Sequence, residues 1–380
     1  MKRIAHIVSD EKFIDSAFNI FNLIENCKNT FYCLHLNTNL EFIKCAKVEI
    51  IKTISHELVA YLDTFDLVIF HSLIELRKKE LLARLKETTQ VLWIGWGADY
   101  YHLMGSSFDN LYLNHTDDIL KLMKVHYQRR KIFELGSFKF YQNQIDKFKR
   151  FKLNNTEWIS KINFFAPVLK SEYEIVKKNN PNFNAQFLEW NYPINLNTNL
   201  QIINKKSQVL LVGNSASYYN NHVDALLYLS KFKTSIKKII VPLNYGGEPF
   251  YINKVVKNGI EIFDDKFFVL IEFYSKDKYY EIIENVSHAI FFSKRQLAMG
   301  NIYFLLSNGV KVFLLKQNPA FQFLKEKGFI VFSIDEICEK KLTSFLTKEE
   351  SLANFTLAHD IMAHEKLLKN TRCLINSIPL

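Results

Sequence analysis

Glycine and proline are scarce in this chain, at 11 and 7 of 380 residues. With 48% hydrophobic and 14% aromatic residues, that describes a well-packed globular protein and excludes disorder. Its five cysteines (Cys27, Cys33, Cys45, Cys338 and Cys373) form no C-x-x-C pair and no metal-ligand spacing. Their odd number gives no disulfide framework, so a reducing compartment is expected. No apolar run approaches the roughly 18–20 residues that a membrane span needs. The N-terminal segment MKRIAHIVSDEK is broken by His6, Ser9 and Asp10 and does not read as a signal peptide. A cytoplasmic protein is expected, with any membrane contact peripheral.

Basic charge is what the chain has in excess, and it is unevenly spread. The formal net charge is +10. Residues 121–152 hold Lys121, Lys124, Arg129, Arg130, Lys131, Lys139, Lys147, Lys149, Arg150 and Lys152 against only Glu134 and Asp146. Phe133, Phe138, Phe140, Tyr141, Phe148 and Phe151 are interleaved with them. Such a surface suits anionic lipid headgroups. It also fits a solvated helix face whose aromatics turn inward. Nucleic acid is the third reading, but no nucleic-acid motif accompanies the patch.

At this length one ordinary core does not suffice, and two domains are expected. Strands are read at 4–8, 31–36, 48–51, 66–70, 91–94 and 164–168. Helices are read at 13–26, 58–64, 74–86, 117–150 and about 171–179. Continuous apolar strands between helices imply a parallel sheet covered on both faces. Residues 180–207, rich in Asn with Asn180-Pro181 and Tyr192-Pro193, read as a connection. The alternation then restarts, with strands at 209–212, 239–241, 267–271, 289–292 and 310–314. Helices fall near 220–232, 250–258, 276–285 and 301–308, and 349–376 is one long helical pattern. The expected division is therefore 1–190, a linker at 191–207, 208–348, and a helical segment at 349–380 that packs back on the first domain. Two doubly wound, Rossmann-like α/β halves with a final helix describe the GT-B architecture of glycosyltransferases. Ligands there sit at the carboxyl ends of strands, in the cleft between halves.

The most informative stretch is Ser293-Lys294-Arg295-Gln296-Leu297-Ala298-Met299-Gly300-Asn301. It follows an apolar run and precedes Ile302, Tyr303, Leu305 and Leu306, so it reads as strand, turn and helix start. A helix N-terminus offers unpaired N–H groups and a positive dipole end. With Lys294, Arg295 and the close-approach Gly300, it reads as a clamp for the diphosphate of a nucleotide sugar. The plain alternative is a strand–helix turn with solvated basic residues.

Other strand ends carry Gly213-Asn214-Ser215, Asn244-Tyr245, Phe273-Tyr274-Ser275 and Asn318-Pro319. Asn and Ser bond phosphate or sugar hydroxyls, and aromatics stack on a base. Turns, helix caps and inward packing account for the same residues equally well. In the first half, Ser9, Asp10, His71 and Trp96-Gly97-Ala98-Asp99 follow strands. Asp99 fits a sugar hydroxyl, a developing cation or a helix cap; His71 fits a ligand contact or a satisfied loop histidine. No D-x-D triplet occurs, which favours charge neutralisation by Lys, Arg and a helix dipole over a bridging metal ion. No metal site, nucleophilic triad or Walker loop is present.

Taken together, Phe70-His71, Trp93-Ile94-Gly95-Trp96-Gly97-Ala98-Asp99, Tyr192-Pro193, Leu211-Val212-Gly213-Asn214-Ser215, Val241-Pro242-x-x-Tyr245, Arg295-Gln296-x-Ala298-x-Gly300 and Asn318-Pro319 resemble one family. It is the bacterial TDP-N-acetylfucosamine:lipid II N-acetylfucosaminyltransferases of enterobacterial common antigen synthesis, the 4-alpha-L-fucosyltransferases of glycosyltransferase family 56. Ala298 stands where the family pattern has Gly, and Asn301 where it has Thr. The resemblance implies a GT-B fold, a TDP-4-acetamido-4,6-dideoxyhexose donor and a saccharide acceptor on undecaprenyl diphosphate, at the cytoplasmic face of the inner membrane. It implies retention, by front-face attack where no nucleophile is evident; no cofactor is expected, and the missing D-x-D triplet points to no metal ion. The catalytic candidates are then Arg295, Lys294 and Asp99. Gly213, Asn214, Ser215, Tyr245, Phe273, Tyr274, Gln296, Gly300, Asn301 and Asn318 would bind the donor. Ser9, Asp10, His71, Trp96 and Gly97 would bind the acceptor, and residues 121–152 would meet an anionic membrane. Two alternatives stay open: a GT-B transferase using another nucleotide sugar, and a non-catalytic nucleotide- or saccharide-binding protein.

Overall fold

Apolar strands separated by helices fold here into two parallel sheets. The computed structural model describes residues 1–36, 39–44, 47–108, 110–133, 157–194, 196, 208–272, 274, 276–283 and 285–378. The described residues of Met1–Asp109, Lys149–Asn195 and Met362–Leu380 form one unit, and those of Asn110–Phe148 and Leu196–Ile361 the other.

The first unit holds β1 (Lys2–Val8), β2 (Cys27–Leu34), β3 (Val48–Ile51), β4 (Leu67–His71), β5 (Val91–Ile94), β6 (Phe164–Ala166) and β7 (Gln186–Phe187). They lie in the order β3-β2-β1-β4-β5-β6-β7, all parallel. Every residue of β4 and β5 is buried, as expected of a sheet covered on both faces. Helices α1 (Ile14–Asn22), α2 (His56–Leu62) and α3 (Leu76–Arg84) connect the strands.

The second unit begins with α4 (Asn114–Phe133), while α5 (Lys170–Asn179) belongs to the first. The second sheet comprises β8 (Val209–Val212), β9 (Lys238–Pro242), β10 (Phe267–Leu270), β11 (His288–Phe291), β12 (Lys311–Leu314) and β13 (Phe332–Ser333). Its order is β10-β9-β8-β11-β12-β13, again all parallel. Between the strands run α6 (His222–Leu229), α7 (Pro249–Phe263), α8 (Lys276–Ile283), α9 (Met299–Ser307) and α10 (Pro319–Glu326). Both sheets reverse their winding beside the first strand, at β1/β4 and at β8/β11. Ligands of doubly wound sheets bind outside the carboxyl ends of the strands at such a switch.

Three sequence expectations are corrected. Division at residue 190 places 114–133 in the first domain, but α4 packs within the second unit. Ile119 joins the core of Val212, Leu226 and Tyr251. The Asp224 carboxylate accepts from His115 N (3.0 Å), Thr116 N (2.9 Å) and Thr116 Oγ1 (2.7 Å), an anion at the positive end of the helix. Second, 349–376 is two helices, α12 (Lys348–Met362) and α13 (His364–Asn376), after the short α11 (Glu339–Thr343). Ala363, at φ −57° and ψ 131°, breaks the helix. Leu367, Leu374 and Ile375 of α13 pack with Ile4, Ile20 and Trp190 in the first unit, and Lys2 Nζ caps the carbonyls of Ile375 and Ile378. Third, residues 180–187, read as part of a connection, include β7, which pairs with β6. The remaining linker residues 195 and 197–207 lie outside the described residues, as do 134–156 of the basic segment.

Candidate active site

At the carboxyl edge of the second sheet, backbone and side-chain amides stitch neighbouring loops together. Ala216 N, after β8, donates to Tyr245 O after β9 (2.8 Å). Asn221 Nδ2 donates to Phe292 O after β11 (2.8 Å). Asn318 Nδ2, after β12, donates to Ser293 O (2.9 Å), and Asn318 Oδ1 caps α10 through Ala320 N (2.9 Å). Four strand-end loops thus form one continuous rim. Asn318 holds that rim together, a structural role beside the expected donor contact.

Arg295 lies at the centre of the rim, only 6% exposed. Its guanidinium stands over the Tyr219 ring, 4.2 Å from the centroid. Tyr219 stacks on Tyr112, with centroids 5.2 Å apart and planes 13° apart. Ser293 Oγ donates to the Arg295 carbonyl (2.8 Å) and tightens the turn. Past it, Ala298 adopts a left-handed conformation at φ +59°, a backbone shape that glycine takes without steric cost. The first intrahelical bond of α9 runs from Ile302 N to Ala298 O (2.9 Å). The N–H groups of Met299, Gly300 and Asn301 precede it, as in any helix N-terminus. Gln296 is buried beside Arg295 in the chain.

Lys294 departs from the expected role. Its Nζ donates to the carbonyls of Asn110 (3.2 Å) and Tyr112 (3.0 Å). It therefore holds the segment entering α4, and with it Tyr112 under Tyr219.

Gly213, at φ +71°, receives Asn220 and His222 closely against its bare face. Asn214 Nδ2 reaches the Tyr245 hydroxyl (3.4 Å), and Asn220 Nδ2 donates to Ser215 O (3.0 Å). Burial holds His222 far below the ordinary histidine value, at about 3, with the Ser215 carbonyl acting against it. Tyr274 is half-buried beyond β10; Phe273 and Ser275 lie outside the described residues.

In the first unit, the carboxyl ends of β1, β4 and β5 meet around a buried lysine. Lys78 is 0% exposed, and its Nζ donates to His71 O (2.6 Å). Burial lowers it to about 8, while Glu75 and Asp99 pull the other way. Ser9 Oγ donates to Glu75, and burial raises Glu11. Trp96 is half-buried, 5.7 Å from Lys78 Nζ by its ring centroid and edge-on to the exposed Phe13. Gly97 needs its lack of a side chain, at φ +94°.

Three candidates here are positioning groups. Asp99 Oδ2 accepts from Leu73 N (3.0 Å) and Trp93 Nε1 (2.8 Å), and Oδ1 from Trp96 N (2.8 Å). These three donors tie the carboxylate to the Trp96 turn, which it shapes. Asp10 accepts from the N–H groups of Glu41, Phe42 and Ile43. His71 sits inside a buried chain in which every partner is fixed. Asn29 Nδ2 donates to Phe21 O, so Asn29 Oδ1 accepts from His6 Nε2 (3.0 Å). His6 Nδ1 then accepts from His71 Nε2 (3.0 Å), and His71 Nδ1 from the Tyr192 hydroxyl (2.7 Å). Trp96 Nε1 donates to Tyr192 (2.8 Å). Burial keeps His71 well below its ordinary value, with His6 and Lys78 adding to the effect.

Sequence reasoning passes over Tyr219, Asn220, Asn221 and His222, although the polar aromatic run Tyr218-Tyr219-Asn220-Asn221-His222 between strand and helix is a usable signal. Lys78 carries none, standing among Arg77 and Lys79 on α3. Among the described residues no group of three or more His, Cys, Asp or Glu is placed to hold a metal ion, and no helix is long and apolar enough to cross a membrane.

The comparisons establish the fold and the family. HepE of Anabaena, solved in complex with UDP and glucose, superposes with a TM-score of 0.64 at 9% identity, covering 99% of this chain and 100% of that one. Sucrose-phosphate synthase of Thermosynechococcus elongatus gives 0.60 at 8% identity, covering 99% of each chain. At such identities the likeness establishes the fold alone, which is GT-B. The family model for 4-alpha-L-fucosyltransferase, glycosyl transferase group 56, matches residues 160–357. That span is more than half of the 380 residues and takes in the whole rim from Gly213 to Asn318, so the chain belongs to the 4-alpha-L-fucosyltransferase family, glycosyl transferase group 56, and is a glycosyltransferase.

Proposed function

We propose that this glycosyltransferase moves a 4-acetamido-4,6-dideoxyhexose from a TDP-sugar to a saccharide carried on undecaprenyl diphosphate, in common-antigen or O-antigen synthesis at the cytoplasmic face of the inner membrane. The observation that carries the reading is the buried Arg295, braced on Tyr219 and followed directly by the N-terminus of α9. A fixed cation and helix N–H groups suit a departing diphosphate, whose charge is greatest at the transition state. Arg295 takes that role, with Gln296, Gly300 and Asn301 beside it. Gly213, Asn214, Ser215, Tyr245 and Tyr274 line the donor side.

The acceptor belongs to the first unit. There Trp96 and Phe13 offer aromatic faces, and Ser9, Glu11 and Glu75 offer polar atoms for hydroxyls. In the retaining step, the acceptor oxygen forms its bond to C1 on the face from which the diphosphate leaves. The C1–O bond to the diphosphate breaks, and the acceptor proton passes to the departing phosphate oxygen. The products are the α-glycoside and TDP. With no D-x-D triplet in the chain, the reading assigns charge neutralisation to Arg295 and α9 rather than to a metal. Residues 121–152 rest on anionic lipid. Of these, Lys121, Leu122, Lys124 and Val125 are exposed on α4.

Calorimetric titration with TDP, UDP and GDP, with and without EDTA, tests the donor. Selective TDP binding that EDTA leaves unchanged is expected. Preference for UDP, the nucleotide bound by HepE, would move the reading to another nucleotide sugar. Binding without turnover on a lipid-linked acceptor would make the protein a binding module.

A further inference from the structure

A closed ring of contacts starts and ends at Arg295. Its guanidinium stands 4.2 Å from the centroid of Tyr219, and Tyr219 stacks on Tyr112 with planes 13° apart. The Tyr112 carbonyl accepts from Lys294 Nζ (3.0 Å), and Lys294 precedes Arg295 in the chain. The turn after β11 therefore meets the Tyr219 ring with one side chain and holds the segment carrying Tyr112 with the next.

Residues 110–113 are tied down on both sides of Tyr112. Lys294 Nζ also donates to Asn110 O (3.2 Å). Asn221, from the loop after β8, accepts from Leu113 N through Oδ1 (2.8 Å) and donates from Nδ2 to Leu111 O (3.4 Å). Leu113 O accepts from Asp117 N (2.9 Å) and so joins the first turn of α4. Burial and the Tyr219 hydroxyl hold the Tyr112 phenol above its ordinary value, with Arg295 acting the other way. Neutral rings hold a guanidinium through their quadrupole and leave its charge in place. The backbone of the turn does not need this ring of contacts. Ser293 Oγ on Arg295 O and Asn318 Nδ2 on Ser293 O already fix it. What the ring adds is a fixed place for the guanidinium.

We propose that Tyr112 and Lys294 are positioning residues of the transfer: acting through Tyr219, they fix the Arg295 guanidinium where the diphosphate of the donor binds and departs. This rests on the donor reading above. A cation ordered before the ligand arrives needs no reorganisation as charge develops. A group displaced by about 1 Å can lose on the order of 100-fold in rate.

The test is calorimetric titration with TDP and UDP, which carry the charge of the departed leaving group. It is run on wild type, Arg295→Ala, Tyr112→Ala, Tyr112→Phe and Lys294→Met. Tyr112→Ala and Lys294→Met are then repeated in the Arg295→Ala background, with melting temperatures alongside. Each single variant, Tyr112→Ala or Lys294→Met, should weaken the nucleotide that wild type binds by about 3- to 10-fold, part of what a hydrogen bond to a charged group contributes. Tyr112→Phe, which keeps the ring, should recover most of the affinity that Tyr112→Ala loses. In the Arg295→Ala background neither substitution should weaken binding further, because the group they position is gone. Equal losses in both backgrounds, full affinity in either single variant, no recovery in Tyr112→Phe, or losses that follow a fall in melting temperature overturn the proposal and leave the donor reading intact. If Arg295→Ala itself binds as wild type does, or wild type binds neither nucleotide, both fall.

Discussion

The Arg295 guanidinium lies 4.2 Å from the centre of the Tyr219 ring, at the switch point of the second sheet. A cation over an aromatic face is held in place by it, and a planar guanidinium matches phosphate oxygens in geometry. Arg295→Ala should lower turnover about 100-fold or more, the scale for removing one transition-state donor, with a much smaller effect on melting temperature. Tyr219→Phe keeps the stack and should keep most activity, while Tyr219→Ala should not. Steady-state kinetics and thermal unfolding of the three variants decide this. Equal losses in rate and stability would assign Arg295 to structure.

Ala298 sits at φ +59° just before α9. A left-handed conformation costs a non-glycine residue about 1–2 kcal/mol, partly offset because glycine loses more chain entropy on folding. Ala298→Gly should therefore stabilise by about 0.5–1 kcal/mol, read as a rise in urea midpoint at unchanged slope. Unchanged or lowered stability would mean that the turn relaxes in solution. Any gain in turnover would show that the strain also misplaces the helix terminus.

Much of this was legible in the residues. Continuous apolar runs such as Val91–Ile94 and Val209–Val212 announce buried parallel strands because they are too short for a helix and rich in β-branched residues. Loops at their ends carry the rim residues Gly213 and Arg295. What sequence could not supply was the partner of each polar atom. Lys294 and Arg295 are adjacent and both basic, yet one ties down main-chain carbonyls and the other stacks on a ring. Asp99 looked chemical because carboxylates often are, and its three donors come from residues 73, 93 and 96. The break at Ala363 has no Pro or Gly to mark it; packing of α13 on the first sheet accompanies it instead.

Asp99→Asn replaces one acceptor oxygen by an amide whose hydrogens face the donors of Leu73, Trp93 or Trp96. Leaving buried donors unmet costs about 1–3 kcal/mol for each one lost. The variant should unfold at lower urea and retain the wild-type affinity for TDP, since its three partners lie in the first unit. A variant of wild-type stability with no turnover would restore Asp99 as a chemical group.

Leu122 and Val125, 55% and 43% exposed, share a face of α4 with Lys121 and Lys124. Each lysine near an anionic surface contributes about 1 kcal/mol, about a fivefold change in binding. Lys124→Gln should weaken co-sedimentation with phosphatidylserine-containing vesicles by that factor and leave neutral vesicles unaffected. Equal binding by wild type and variant would remove α4 from the membrane contact.

Buried histidines set the pH response of the fold. Burial lowers His6 and His222 to about 3, and His71 well below 6.5. An unfolded chain takes up protons at these positions as pH falls through 6.5, and the folded chain does not. Folded-state stability from these groups is therefore complete above about pH 6.5, and it falls as pH drops from there towards 3. Each histidine contributes a slope of about 1.4 kcal/mol per pH unit once below its unfolded value. Lys78, lowered to about 8 from 10.5, acts with the same sign at the alkaline end: the folded chain loses that proton first, so stability rises between those values. Urea unfolding at pH 7.5, 6.5 and 5.5 should show the steep acid limb, and His6→Asn should flatten it by one proton. An unchanged slope in His6→Asn would mean that His6 is protonated in the folded state, which the chain from Asn29 to Trp96 does not permit with its donors as assigned.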